Sequence, residues 1–237
     1  MKIQVFTEGK TEEKVIEKLK QFFPGRTFET IDCKGKNNIN SRIDDELGPD
    51  IGQQPVRALI LRDKDPGETI KRIIQSVNNG LGGILKQRDI DTSLLQFQRV
   101  AGVWNAFVWN AASIDFRLSI HIASRRSLRG LTKSTIDDLV LNLALDQHVA
   151  AHLAQRQNVN VNGQVIIQKV TQEIPTLLQQ NGFPPLSEAK DYARLYAAVT
   201  RMHTSPPVFA GKVLASANTH LVQQNFASII AAIEALQ

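Results

Sequence analysis

Arg57-Ala58-Leu59-Ile60-Leu61-Arg62 is an apolar run that ends abruptly in Asp63-Lys64-Asp65-Pro66-Gly67. A buried parallel strand has this appearance where its C-terminal end reaches a site. Downstream, Glu68–Asn78 restarts a helical pattern. Upstream, Lys2–Thr7 carries Ile3, Val5 and Phe6 and predicts a short strand. Thr11–Phe23 then places Val15, Ile16, Leu19, Phe22 and Phe23 on one helical face, stopped by Pro24-Gly25. Phe28–Cys33 predicts a second strand, and Ile39–Leu47 a short helix closed by Gly48-Pro49. Strand and helix alternating in this order predict the α/β class: a mostly parallel sheet flanked by helices and joined by right-handed crossovers.

The remainder of the chain changes character. Leu95–Val100, Ala106–Ala111 and Phe116–Ala123 read as two or three further strands, some antiparallel. From Ser134 onward the pattern is helical over Thr135–Arg156, Val165–Gln180, Ser187–Met202 and Asn218–Leu236. The expected organisation is an α/β domain over 1–125 and a helical region over 126–237, either a separate lobe or continuous with the first. Trp104 and Trp109 read as core, and Tyr192 and Tyr196, on one helix face, as core or surface packing. Between 204 and 237 only Lys212 and Glu234 are charged, which predicts a packed or interface-forming tail.

Composition excludes several classes. Hydrophobic residues are 42% and charged residues 22% of 237, so the chain is neither disordered nor collagen-like. No apolar run approaches the roughly 18 residues of a membrane span, and the N-terminus meets charge too early for a signal peptide. With Cys33 the only cysteine, a reducing cytoplasm is the expected compartment. The net charge of +5 is modest, so clustering of basic residues matters more than their sum. Aromatics at 6% argue against a stacking platform for single strands.

Three acids fall at strand ends. Glu8 follows the first strand, and Asp63 and Asp65 follow the third as an i, i+2 pair whose side chains leave an extended backbone on the same side. Ligands of open α/β sheets bind at the carboxyl ends of strands, where these acids would meet. Carboxylates so close repel unless neutralised, and a hard divalent cation with oxygen ligands does this. Turn formation and helix capping account equally well for Asp63 and Asp65 taken alone. They do not account for Glu8 in the matching place.

Val5-Phe6-Thr7-Glu8-Gly9-Lys10-Thr11-Glu12-Glu13 resembles the first motif of the Toprim domain, a hydrophobic strand followed by Glu-Gly-x-Thr-Glu. Leu59–Gly67 resembles the second, a hydrophobic strand followed by Asp-x-Asp with a nearby glycine. The resemblance covers about residues 1–125 and is distantly similar to the Toprim domains of OLD-family nucleases. It implies Mg²⁺, or Mn²⁺, held by Asp63 and Asp65. Glu8 is then the general acid/base or a metal ligand, and Glu12 a ligand of a second ion. Small standalone Toprim proteins carry a further acid at the start of a later helix, for which Asp137 in Ser134–Leu139 is the candidate; N-terminal charge beside a Ser/Thr cap explains it equally well. Gly67 stands where the topoisomerase pattern has a third aspartate, so a topoisomerase-type site is not expected.

The implied function is metal-dependent cleavage or transfer at a phosphodiester of DNA or RNA. The alternative is a regulatory subunit of the same fold that binds nucleic acid or a separately encoded ATPase without turnover, docked through 204–237. A small-molecule phosphotransferase or phosphatase is a third reading, and a homo-oligomer is compatible with each. Lys10, Arg125, Arg126 and Arg129 are candidate phosphate contacts, the last three within the densest basic stretch, 125–133. Gly9-Lys10-Thr11 is not a P-loop, because Gln4 stands where the motif needs its first glycine.

Overall fold

The computed structural model describes every residue of the chain except Leu94. The chain divides into two compact units, Met1–Ser124 with Ala227–Gln237, and Arg125–Phe226.

The first unit is α/β. Its elements run β1 (Lys2–Thr7), α1 (Lys10–Leu19), β2 (Thr27–Asp32), α2 (Ile39–Leu47), β3 (Val56–Arg62), α3 (Ile70–Lys86), β4 (Gln98–Arg99), β5 (Ala106–Ala111) and β6 (Phe116–Ile122). The strands form one mixed sheet in the order β2-β1-β3-β6-β5-β4. The first four are parallel, while β5 runs antiparallel to β6 and β4 antiparallel to β5. The stretch read as extended over 95–100 pairs only at Gln98–Arg99.

Alternation along each strand sorts the side chains onto two faces. Phe6, Ala58, Ile60, Leu118 and Ile120 share a core with Ile39, Ile43 and Leu47 of α2 and Ile73, Val77 and Leu81 of α3. Ile3, Val5, Leu59 and Leu61 alternate to the opposite face and are fully buried there. Trp109 belongs to the core, its ring 5.0 Å from that of Phe116. Trp104 corrects the expectation of a core residue: it is 56% exposed.

The last helix of the chain, at 227–234, contacts β5 and β6 and belongs to this unit. Ser228 Oγ lies 2.9 Å from His121 Nε2, and Arg26 donates to the Ile233 carbonyl at 3.3 Å. Burial pushes His121 down to about 3, so the ring stays neutral.

The second unit is helical: α4 (Ile136–Ala144), α5 (Gln147–Gln155), α6 (Gly163–Gln168), α7 (Ile174–Gln180), α8 (Ala189–Val199), α9 (Pro206–Ser216) and α10 (Thr219–Asn225). Three stretches read as continuous helices are interrupted. The 135–156 stretch breaks because the Asp146 side chain accepts from the backbone N–H groups of His148 and Val149 and starts α5 afresh. Between α6 and α7 the backbone widens over 169–173. Pro175, which has no N–H to give, follows directly. The 218–236 stretch breaks at Phe226, where α10 ends and the final helix, α11 (Ala227–Glu234), begins.

Gly163 is required by packing. A Cβ there would stand 2.0 Å from the Gln147 carbonyl oxygen and 2.9 Å from the Ala151 amide nitrogen, both backbone atoms of α5. Gly163→Ala is expected to destabilise this unit by about 3 kcal/mol, read as a lowered urea midpoint. A midpoint equal to wild type would show that α6 does not pack this closely.

Candidate functional site

β1 and β3 are hydrogen-bonded neighbours. From β1 the chain crosses through α1 to β2 on one side, whereas from β3 it passes through α3 and on to β6 on the other. This divergence is the topological switch point of the sheet, where ligands of open α/β folds bind beyond the carboxyl ends of the strands. Glu8 follows β1 there, and Asp63 and Asp65 follow β3. The Asp63 amide donates to Glu8 Oε1 at 3.0 Å, so the turn that carries Asp63 meets Glu8 from 55 positions away in sequence.

Sequence reasoning missed the ion pairs by which Arg62 and Lys36 organise this cluster. Arg62 continues the Ala58, Ile60 side of β3. Its Nη1 donates to Glu8 Oε1 at 2.6 Å and to the Asp63 carbonyl at 2.6 Å, and its Nη2 donates to Glu68 Oε1 at 3.0 Å. Arg62 is 6% exposed, a depth at which a guanidinium is tolerated only when paired. Lys36 joins Glu68 Oε1 at 3.0 Å and forms a tight ion pair with Asp65. The Asp65 amide closes the set, donating to Glu68 Oε2 at 2.9 Å. Glu8, Arg62, Glu68, Lys36 and Asp65 thus alternate in charge across the strand ends.

The local sequence explains how Lys36 arrives. Lys34 and Gly35 both adopt positive φ, 53° and 105°. The Gly35 amide donates to the Glu8 carbonyl at 3.1 Å, folding the loop after β2 over the end of β1. Gly67 has φ of 77°, a conformation that an aspartate in its place would hold only under strain. Burial raises the Glu68 carboxyl, but the Asp65 amide, Lys36 and Arg62 outweigh it and hold the group below its ordinary 4.5. The hydrogen bond to Asp65, with that to Glu68, holds Lys36 above its ordinary value.

The remaining candidates fall as follows. Glu12 is buried in the first turn of α1, its Oε2 3.7 Å from where a side chain on Gly9 would start. Lys10 is exposed at the same helix start. Asp137 belongs to the second unit, at the start of α4, where it pairs with Lys190 at 3.5 Å. The carboxylate that caps α4 is Asp138, which bonds the Thr135 amide and hydroxyl and the Ser127 amide. Arg125, Arg126 and Arg129 are exposed, and Arg126 donates to the Thr132 carbonyl at 3.2 Å. The Cys33 thiol is buried and pushed up to about 11 by that burial, so it is no nucleophile.

The chain matches no family model, no curated protein and no solved structure. Its chemistry must be argued from this cluster. All its acids offer carboxylate oxygens, the donors a hard divalent cation takes, and in kind they fit such an ion. Arg62 and Lys36 hold Glu8 and Asp65 instead in this structure, and no group of three or more metal-binding side chains surrounds a common point among the described residues.

The tail read as a docking surface buries most of its large apolar residues, with Val208 49% exposed. Phe209, Val213, Leu214, Val222, Phe226, Ile229, Ile233 and Leu236 are all buried. Among the described residues no helix is long and apolar enough to cross a membrane.

Proposed function

We propose that this protein carries out metal-dependent cleavage or transfer at a phosphodiester of nucleic acid, with Glu8, Asp63 and Asp65 as the reacting cluster. The observation that carries the reading is the meeting of Glu8 and the Asp63 turn at the switch point between β1 and β3. Asp63 and Asp65 would hold Mg²⁺ or Mn²⁺, as in the Toprim proteins that the two motifs resemble. When bound, such an ion withdraws charge from a phosphate oxygen and lowers the pKa of a coordinated water. Glu8 moves the proton of the attacking water. Arg62, fixed by Glu8 and Glu68, places a positive charge where a phosphoryl oxygen gains negative charge.

A second reading, a non-catalytic nucleic-acid-binding or ATPase-binding subunit, is favoured by the ion pairs that neutralise Glu8 and Asp65. Incubation of labelled DNA and RNA with Mg²⁺ or Mn²⁺ decides between them. Cleavage is expected with either ion and none in EDTA, and Glu8→Gln is expected to slow it by roughly 10²-fold. Intact substrate under every metal condition would leave the binding reading in possession of the site.

A further inference from the structure

A cleft of about 330 Å³ opens between the loop after β2 and the first turns of α3, a size within the range of small-molecule sites. Three cations line it, Lys36, Arg62 and Arg72, against the single acid Glu68. Two of the cations are fixed and already paired: Glu68 holds both Lys36 and Arg62 at 3.0 Å, Asp65 also pairs with Lys36, and Glu8 with Arg62 at 2.6 Å. Arg72 is exposed and has no ion pair among the described residues. Asn40 and Ser76 add neutral hydrogen-bonding groups. Ile39, Ile73 and Val77, core residues that are 3%, 4% and 5% exposed, form its apolar floor. A cation without an ion pair, Arg72, beside an apolar floor suits a ligand with a compact anion at one end and a flat, weakly polar body at the other. A phosphorylated nucleotide has that form: guanidinium groups bind phosphate oxygens in pairs, and the base covers apolar side chains.

We infer that this cleft binds one phosphorylated nucleotide unit, with Arg72 as the principal contact of the phosphate, Lys36 and Arg62 beside it, and the base or sugar over the floor of Ile39, Ile73 and Val77. The unit is either a free mononucleotide or the phosphorylated end of a strand. The inference deepens the nucleic-acid reading above and rests on it for the choice of ligand.

The test measures binding in EDTA, without the ion that cleavage requires. Oligonucleotides of one sequence are compared with a 5′-phosphate, a 3′-phosphate and neither, and adenosine monophosphate is titrated as a competitor. One phosphorylated end is expected to bind roughly tenfold tighter than the unphosphorylated strand, and Arg72→Ala to remove most of that preference. Lys71→Ala, which deletes an exposed charge of the same sign outside the cleft, is expected to leave the preference within about twofold. Competition by the mononucleotide assigns a free nucleotide as ligand; its failure beside a preferred phosphorylated end assigns the strand terminus. Equal binding of all three strands without mononucleotide binding overturns the inference, as does a preference that survives both Arg72→Ala and Lys36→Ala. A phosphate preference without cleavage in Mg²⁺ or Mn²⁺ would sink the nuclease reading and leave this one standing.

Discussion

Asp63→Ala is expected to reduce metal-dependent phosphodiester cleavage by on the order of 10³-fold while the protein stays folded. A metal ion poised against a transferring phosphate stabilises the transition state by several kcal/mol, and each 1.36 kcal/mol is tenfold in rate. Losing a ligand that sets its position forfeits roughly three such factors. The backbone contribution of residue 63 survives the substitution, because it is the Asp63 amide that donates to Glu8. The side chain is only partly buried, so the thermal midpoint should move by no more than about 2 °C. Product formation over time with Mn²⁺, paired with a circular-dichroism melt, reads both quantities. Cleavage at the wild-type rate would place the reacting centre elsewhere. Loss of activity together with loss of fold would be resolved by Asp63→Asn, which keeps the shape and removes the charge.

The largest stability effect is expected at Arg62. Arg62→Met keeps most of the side-chain volume but leaves Glu8 and Glu68 without their shared guanidinium. Removing one partner of a buried pair strands the other charge, and the part-exposure of Glu68 tempers the penalty to about 2–3 kcal/mol. For a chain of this size that is a fall of roughly 6–10 °C in thermal midpoint. The acid side supplies a check on cause. Glu68 is held below 4.5, so its pairing stabilises the folded state above that pH and is lost as the pH falls through the lowered value. The gap between wild type and Arg62→Met should therefore narrow on acidification from pH 7 towards pH 3. A gap that stays constant would mean that the arginine acts by packing its hydrocarbon stem and not by its charge.

The sheet was legible because its strands are apolar runs with abrupt ends. β3 is buried on both faces and reads as a continuous hydrophobic stretch, and Glu8 and Asp63 could be placed at strand ends because the alternation of elements implies a parallel sheet. The companions of these acids were not legible. Lys36 lies in a loop whose positive-φ turn at Lys34 and Gly35 carries no signal beyond the glycine, and Glu68 reads as an ordinary charge before a helix. Arg62 offered one signal, a charged residue closing a strand that is otherwise buried, in phase with Ala58 and Ile60. The break between α4 and α5 was hidden because both halves are apolar and helix-forming, and only the side-chain cap from Asp146 separates them. Trp104 is exposed because it lies in the turn before β5, where no strand carries its side chain inward.

The placement of α11 has a consequence for how the protein is made. The face of the sheet that holds His121 is completed by residues synthesised only after all of 125–226 has been made. The α/β unit therefore cannot reach its final form until α11 has been made. Ser228 meets His121 of β6, and Ile233 meets Arg26, only once this distant stretch has been made, so closure of the unit waits on it.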